Sequence, residues 1–146
     1  MLHMADLAVN KLMAAVGRRE PRDVIDLLTI HEQHLPLGAI AWAAVEISPG
    51  FTPEGLIGEL KRNARYPALD YQALEMLTPI DAGDVVRRLK DATNGAEHFI
   101  AAMPSTKIGR LFLRDGVPVQ PDPARLADYQ EHLPQRGGHW PVLVGS

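Results

Sequence analysis

Cysteine is absent from this chain, which excludes a disulfide framework and any thiolate-bound metal and fits a cytoplasmic protein. No apolar run reaches the ~18 residues of a membrane span. Residues 1–6 do not read as a signal peptide. Positive charge is not in surplus: a net charge of −3 argues against a mainly electrostatic grip on nucleic acid, while leaving room for a local basic patch. A Gly-rich phosphate loop is missing. Ser48, Ser105 and Ser146 lack the Gly-x-Ser-x-Gly elbow of a serine nucleophile. There is no internal repeat and no low-complexity tract.

What remains is one domain's worth of chain. At 146 residues it is long enough to bury a core, and 46% hydrophobic with 23% charged residues is ordinary for a globular protein. The most informative stretch runs from Ala5 to Ile30, ADLAVNKLMAAVGRREPRDVIDLLTI. It reads as two helices joined by a charged elbow. Gly17 stops the first, and Pro21 starts the second, where its missing N–H costs nothing. On the first helix Val9, Leu12 and Val16 share a face, with Lys11 and Arg18 opposite and Leu7 and Ala14 between them. On the second, Val24, Leu27, Leu28 and Leu35 form the apolar stripe. Arg22 and Asp26 are an i,i+4 pair of opposite charge, and Asp23 sits in the first turn, where the helix dipole favours a carboxylate. Packing by the two stripes would bring Lys11 and Asp23 to one rim.

The string NKLMAAVGRREPRDVIDLL resembles the third and fourth motifs of the AbiEii-type nucleotidyltransferases, the abortive-infection toxin family of toxin–antitoxin systems. The pattern is a Lys on a helix, then an Arg, then Arg-Asp, then Asp-Leu. Lys11, Arg18, Arg22, Asp23 and Asp26 occupy those places over about 30 residues. The resemblance implies that Lys11 and Asp23 belong to the catalytic groove, that Lys11, Arg18 and Arg22 approach nucleotide phosphates, and that Asp26 supports them. It also implies Mg²⁺, an NTP and, by family analogy, tRNA as acceptor. The family's upstream half, with Gly-Ser and a nearby Asp-x-Asp, has no counterpart here. The only Gly-Ser is Gly145-Ser146, and no Asp-x-Asp occurs. The expectation is therefore no metal site and no cofactor in this chain, and no activity from it alone. Mg²⁺ and NTP enter only if an upstream half is supplied.

Further along, His31 and His34 have an i,i+3 spacing without an evident third metal ligand, so they read as the polar end of a helix. Leu37 to Ile47 is apolar on nearly every side, as a buried central helix is, with Trp42 as a core anchor. Thr52 and Pro53 cap and begin the next helix, with Phe51 and Leu56 placed for a hydrophobic staple. That helix ends in Lys61, Arg62 and Arg65, a solvated basic terminus or a contact for a phosphate backbone. After the Tyr66-Pro67 break, Asp70 to Leu77 reads as one short helix. Asp81 caps the longest one, whose stripe of Val85, Leu89, Ala92, Ala96, Phe99 and Met103 runs straight through Asn94-Gly95. Asp115-Gly116 between β-forming runs marks a hairpin over 108–120, with Pro118 on an edge strand. Asp122-Pro123 restarts a short helix to about His132, followed by a tail holding Trp140 and Val142.

The resulting expectation is a mostly α fold. A single domain over 1–146 holds a bundle of six or seven helices in 5–104, one short C-terminal β-hairpin, and a short helix and tail in 121–146. Its core should include Val9, Leu12, Val16, Leu27, Leu28, Ile40, Trp42, Leu60, Leu89 and Phe99. Two functions remain open. One is the helical C-terminal domain of an AbiEii-type nucleotidyltransferase, with a separate upstream polypeptide or a second copy covering Leu7, Ala14 and the apolar tail. The other is a non-catalytic, self-associating helical interaction module. On that second reading Lys11, Arg22 and Asp23 form an ion-pair cluster that only orients two helices.

Overall fold

The computed structural model describes residues 2–17, 20–47, 50–74 and 80–132, with side chains from residue 4 onward. Helices α1 (Leu2–Gly17), α2 (Pro21–Gln33), α3 (Leu37–Ile47), α4 (Pro53–Asn63), α5 (Ala68–Gln72) and α6 (Ala82–Ala102) come first, and a small sheet follows. The fold is mostly α with a short C-terminal antiparallel sheet.

Helix α3 is the centre because it has no polar face to spare. Its residues from Leu37 to Ala44 are all buried, and α1, α4, α6 and the sheet pack around it. Of the anticipated core, Val9, Leu12, Val16, Leu27, Leu28, Ile40, Trp42, Leu60 and Phe99 are buried, while Leu89 is only partly covered. Small residues let α3 and α6 approach closely. A Cβ placed on Gly38 would lie 2.8 Å from the Phe99 ring and 3.2 Å from the Ala96 Cα. Trp42 and Phe99 meet edge to face at 6.3 Å beside that contact.

Side-chain caps fix several ends. The Thr52 hydroxyl accepts from the Gly55 N–H at 2.9 Å, and Asp81 accepts from the Gly83 N–H at 2.9 Å. Phe51 is exposed, so it does not lie buried against Leu56 as a closed staple would. Asn63 at the end of α4 donates its amide to the Val16 carbonyl at 2.7 Å, which satisfies an orphan acceptor in the last turn of α1. His31 Nδ1 accepts from the Leu37 N–H at 2.8 Å, so this histidine joins α2 to α3. Arg88 of α6 holds Glu32 of α2 through a two-pronged contact, Nε to Oε2 at 2.8 Å and a second nitrogen to Oε1 at 2.5 Å.

Strands β1 (Leu111–Arg114) and β2 (Val117–Val119) form the anticipated hairpin. Asp115 at φ 53° and Gly116 at φ 75° occupy its two-residue turn, the positive pair that a type I′ turn requires. A third strand, β3 (Gln130–His132), lies on the other side of β1, giving the order β2-β1-β3. Pro118 is thus on an edge. The expected helix from Asp122 to His132 is corrected: Pro123–Asp128 is 3₁₀ with a non-helical Arg125, and the chain then extends into β3. Lys107 at 2.8 Å and Arg110 both grip Glu131 of β3, and Trp42 Nε1 donates to the Lys107 carbonyl at 2.8 Å. The sheet is thereby stitched to α3. Helix α5 ends at Gln72, shorter than the span to Leu77 that the sequence suggests, and Leu77 lies outside the described residues.

Candidate functional site

Helices α1 and α2 pack side by side and set the rim on which the resemblance rests. Lys11 Nζ donates to Asp26 Oδ2 at 3.0 Å, across fifteen positions of sequence. Both side chains are about 30% exposed (29% and 30%), so the pair sits half in water. Asp26 thus serves the neighbouring helix, and no hydrogen bond or ion pair from Arg22 to it stands beside the Lys11 contact among the described residues. Arg22 is exposed. Asp23 is nearly sealed at 4% exposure, one turn inside α2, where its backbone N–H donates to the Glu20 carbonyl at 3.1 Å. Arg18, Trp140 and Val142 lie outside the described residues.

The rim therefore brings Lys11 and Asp26 together with Asp23 one turn back, while Arg22 stands in solvent. Chemically it offers an ammonium already held by one carboxylate and open on its wet side. Such an ammonium can exchange its carboxylate for a phosphate at modest cost, because a partly covered surface pair of this kind stabilises by only about 1 kcal/mol. For Mg²⁺ the fit is poor. Among the described residues no three His, Asp or Glu side chains come close enough to share an ion, and both carboxylates of the rim have other surroundings. His31, spaced with His34 as a ligand pair would be, uses its Nδ1 on the α3 backbone instead.

A second concavity lies elsewhere, between α4, α5 and α6. It encloses about 500 Å³ and is lined by Lys61, Arg65, Tyr66, Tyr71, Leu89 and Lys90 among others. Tyr66 and Tyr71 meet edge to face at 5.9 Å. Tyr71 is buried, its hydroxyl donates to the Ala64 carbonyl at 3.5 Å, and burial, Tyr66 and Asp70 push its pKa up to about 12. The sequence shows Lys61 and Arg65 as a basic helix end and Tyr66 only as part of a break. No signal in the sequence marks this concavity, because its lining comes from three separate elements.

Comparison with known protein families, curated proteins and solved structures finds no match for this chain. No described helix is long and apolar enough to cross a membrane.

Proposed function

We propose that the chain is a helical domain of the AbiEii nucleotidyltransferase type, inactive in nucleotide transfer by itself. Lys11 and Arg22 of its α1–α2 rim, with Arg18 of the resembling string, would approach nucleotide phosphates held by a metal-binding half. One observation carries the reading. Lys11 and Asp26, two residues of the matched pattern, come within 3.0 Å of each other on one rim. Asp26 keeps the ammonium in place until a phosphate takes it. Burial of Asp23 favours a structural role over contact with substrate, and a carboxylate in the first turn of α2 suits the helix dipole. Work in the cytoplasm fits a chain without cysteine.

The test is nucleotide transfer. Phosphoryl-transfer chemistry needs a metal to clamp the triphosphate. The pure chain with Mg²⁺ and each labelled NTP should leave tRNA and protein acceptors unlabelled, and robust incorporation contradicts the proposal. The second reading, a non-catalytic self-associating module, is favoured by a different observation. Leu7 lies on the same helix as Lys11 and is 43% exposed among the described residues, an apolar side chain left partly open, whereas Ala14, expected to be open beside it, is buried.

A further inference from the structure

The concavity between α4, α5 and α6 shares no residue with the α1–α2 rim, and the proposed function does not use it. Its size, about 500 Å³, is that of a small-molecule site. Its body is apolar and aromatic: Tyr71 is fully buried at the floor, Tyr66 and Leu89 are half covered, and Val86 is exposed at the edge. Its charge is of one sign. Lys61, Arg65 and Lys90 line it, and no carboxylate does among the described residues. Only Lys61 is paired, to Glu97 at 3.3 Å, in an exposed contact that water and salt weaken. Arg65 and Lys90 form no ion pair among the described residues.

Four features could oppose an anion here: the C-terminal end of α4, the Glu97 carboxylate on Lys61, the Asp70 carboxylate near Tyr71, and the Tyr71 phenol itself. Ala64, the C-cap of α4, lines the wall, and a helix C-terminus carries roughly half a negative charge. Glu97 takes up the charge of Lys61 and Asp70 is exposed and screened by water, so the two unpaired charges of Arg65 and Lys90 outweigh the helix end. The Tyr71 phenol stays neutral at physiological pH, because its ionisation is pushed up to about 12. A flat ring could lie on Leu89 and Tyr66 while its anionic group meets Arg65 and Lys90, whose long side chains reach from the rim.

We propose that this concavity binds a small organic anion built on a planar ring, its charge held by Arg65 and Lys90 and its ring by Tyr66, Tyr71 and Leu89. The anionic group is a phosphate or a carboxylate, and the two are separated by experiment.

The chain has three tyrosines, and the third, Tyr129, lies on the sheet against Phe112, away from this concavity. Ring-labelled tyrosine therefore supplies two reporters and an internal control. Uridine 5′-monophosphate and 4-hydroxybenzoate are titrated into the full chain, with uridine and inorganic phosphate as partial probes. The expected result is movement of the Tyr66 and Tyr71 signals with at least one of the two ring anions and no movement of Tyr129. The tighter of the two names the anionic group. Uridine should bind roughly tenfold more weakly than its monophosphate, and the double variant Arg65→Glu, Lys90→Glu should lose roughly tenfold or more in affinity. An unmoved Tyr129 signal shows that the variant is folded. If it is not folded, raising salt from about 50 to about 500 mM on the unaltered chain must weaken binding instead. Absent shifts, uridine binding as tightly as its monophosphate, inorganic phosphate alone reproducing the shifts, or salt-insensitive binding would each overturn the proposal. Because the reporters lie outside α1 and α2, failure here is distinct from failure at the Lys11 rim.

Discussion

His31 makes a helix junction sensitive to pH. Its Nδ1 accepts the Leu37 N–H, which only an unprotonated nitrogen can do. Burial lowers its pKa from 6.5, with the nearby Glu32 carboxylate offsetting part of the effect. The folded chain therefore resists a proton that the unfolded chain takes up near pH 6.5, so this contribution is whole above that pH. It is lost as pH falls toward the folded value. His132, also lowered by burial, acts in the same direction. Urea unfolding should show stability declining between about pH 7 and about pH 5. His31→Asn, with an amide oxygen that accepts without titrating, should flatten that slope, and an unchanged slope would contradict the role given to His31. The Lys11–Asp26 pair shows how far residue-level reading carries. The rim was legible from helix punctuation and apolar stripes. Which of Asp23 and Asp26 meets Lys11 was not, because that depends on the rotation of α2 about its axis, which packing of α1 on α3 and of α2 on α6 decides.

Among elements, α6 was the most legible, since its 3.6-residue stripe passes unbroken through Asn94-Gly95 and the helix does too. The β1–β2 turn was equally plain, because only residues tolerant of positive φ stood between two β-forming runs. Strand β3 was not legible. Three polar residues, Gln130 to His132, carry no alternation to read, and their partner β1 lies some twenty residues away. Asp122-Pro123 opens a 3₁₀ turn as readily as an α-helix, so its cap signal could not fix the type. The concavity between α4, α5 and α6 was hidden for a related reason: its walls come from three elements that only tertiary packing brings together. The seam of α3 on α6 carries a prediction. Gly38→Ala would press a methyl against the Phe99 ring and the Ala96 backbone, and overpacking of this kind costs about 1–3 kcal/mol. The ring can move but the backbone cannot follow cheaply. Thermal unfolding should show a clear drop in Tm; an unchanged or raised Tm would mean that the two helices have slack between them.

At the scale of the whole molecule, the question is what the α1 side of the bundle faces. Exposed Leu7 and the open side of Lys11 lie on the same helix. Both readings of function place a second polypeptide there, another copy or a metal-holding partner. Sedimentation should give a dimer, or a complex when the partner is present, and a clean monomer at high concentration without either would count against both. On the proposed function Lys11 is a phosphate ligand waiting on Asp26. Stability cannot test it, because Lys11→Ala should cost only about 1 kcal/mol on any reading of a partly covered surface pair. Nucleotide binding can. The direct measurement is an NMR titration of backbone amides in residues 7–17 and 20–26 with ATP, GTP, CTP and UTP, on the parent chain and on Lys11→Ala. The account predicts shifts there with a Kd on the order of 1 mM, weakened by salt and lost in the variant. No shift with any of the four nucleotides, or equal binding by Lys11→Ala, would contradict it and leave Lys11 as a clamp between two helices.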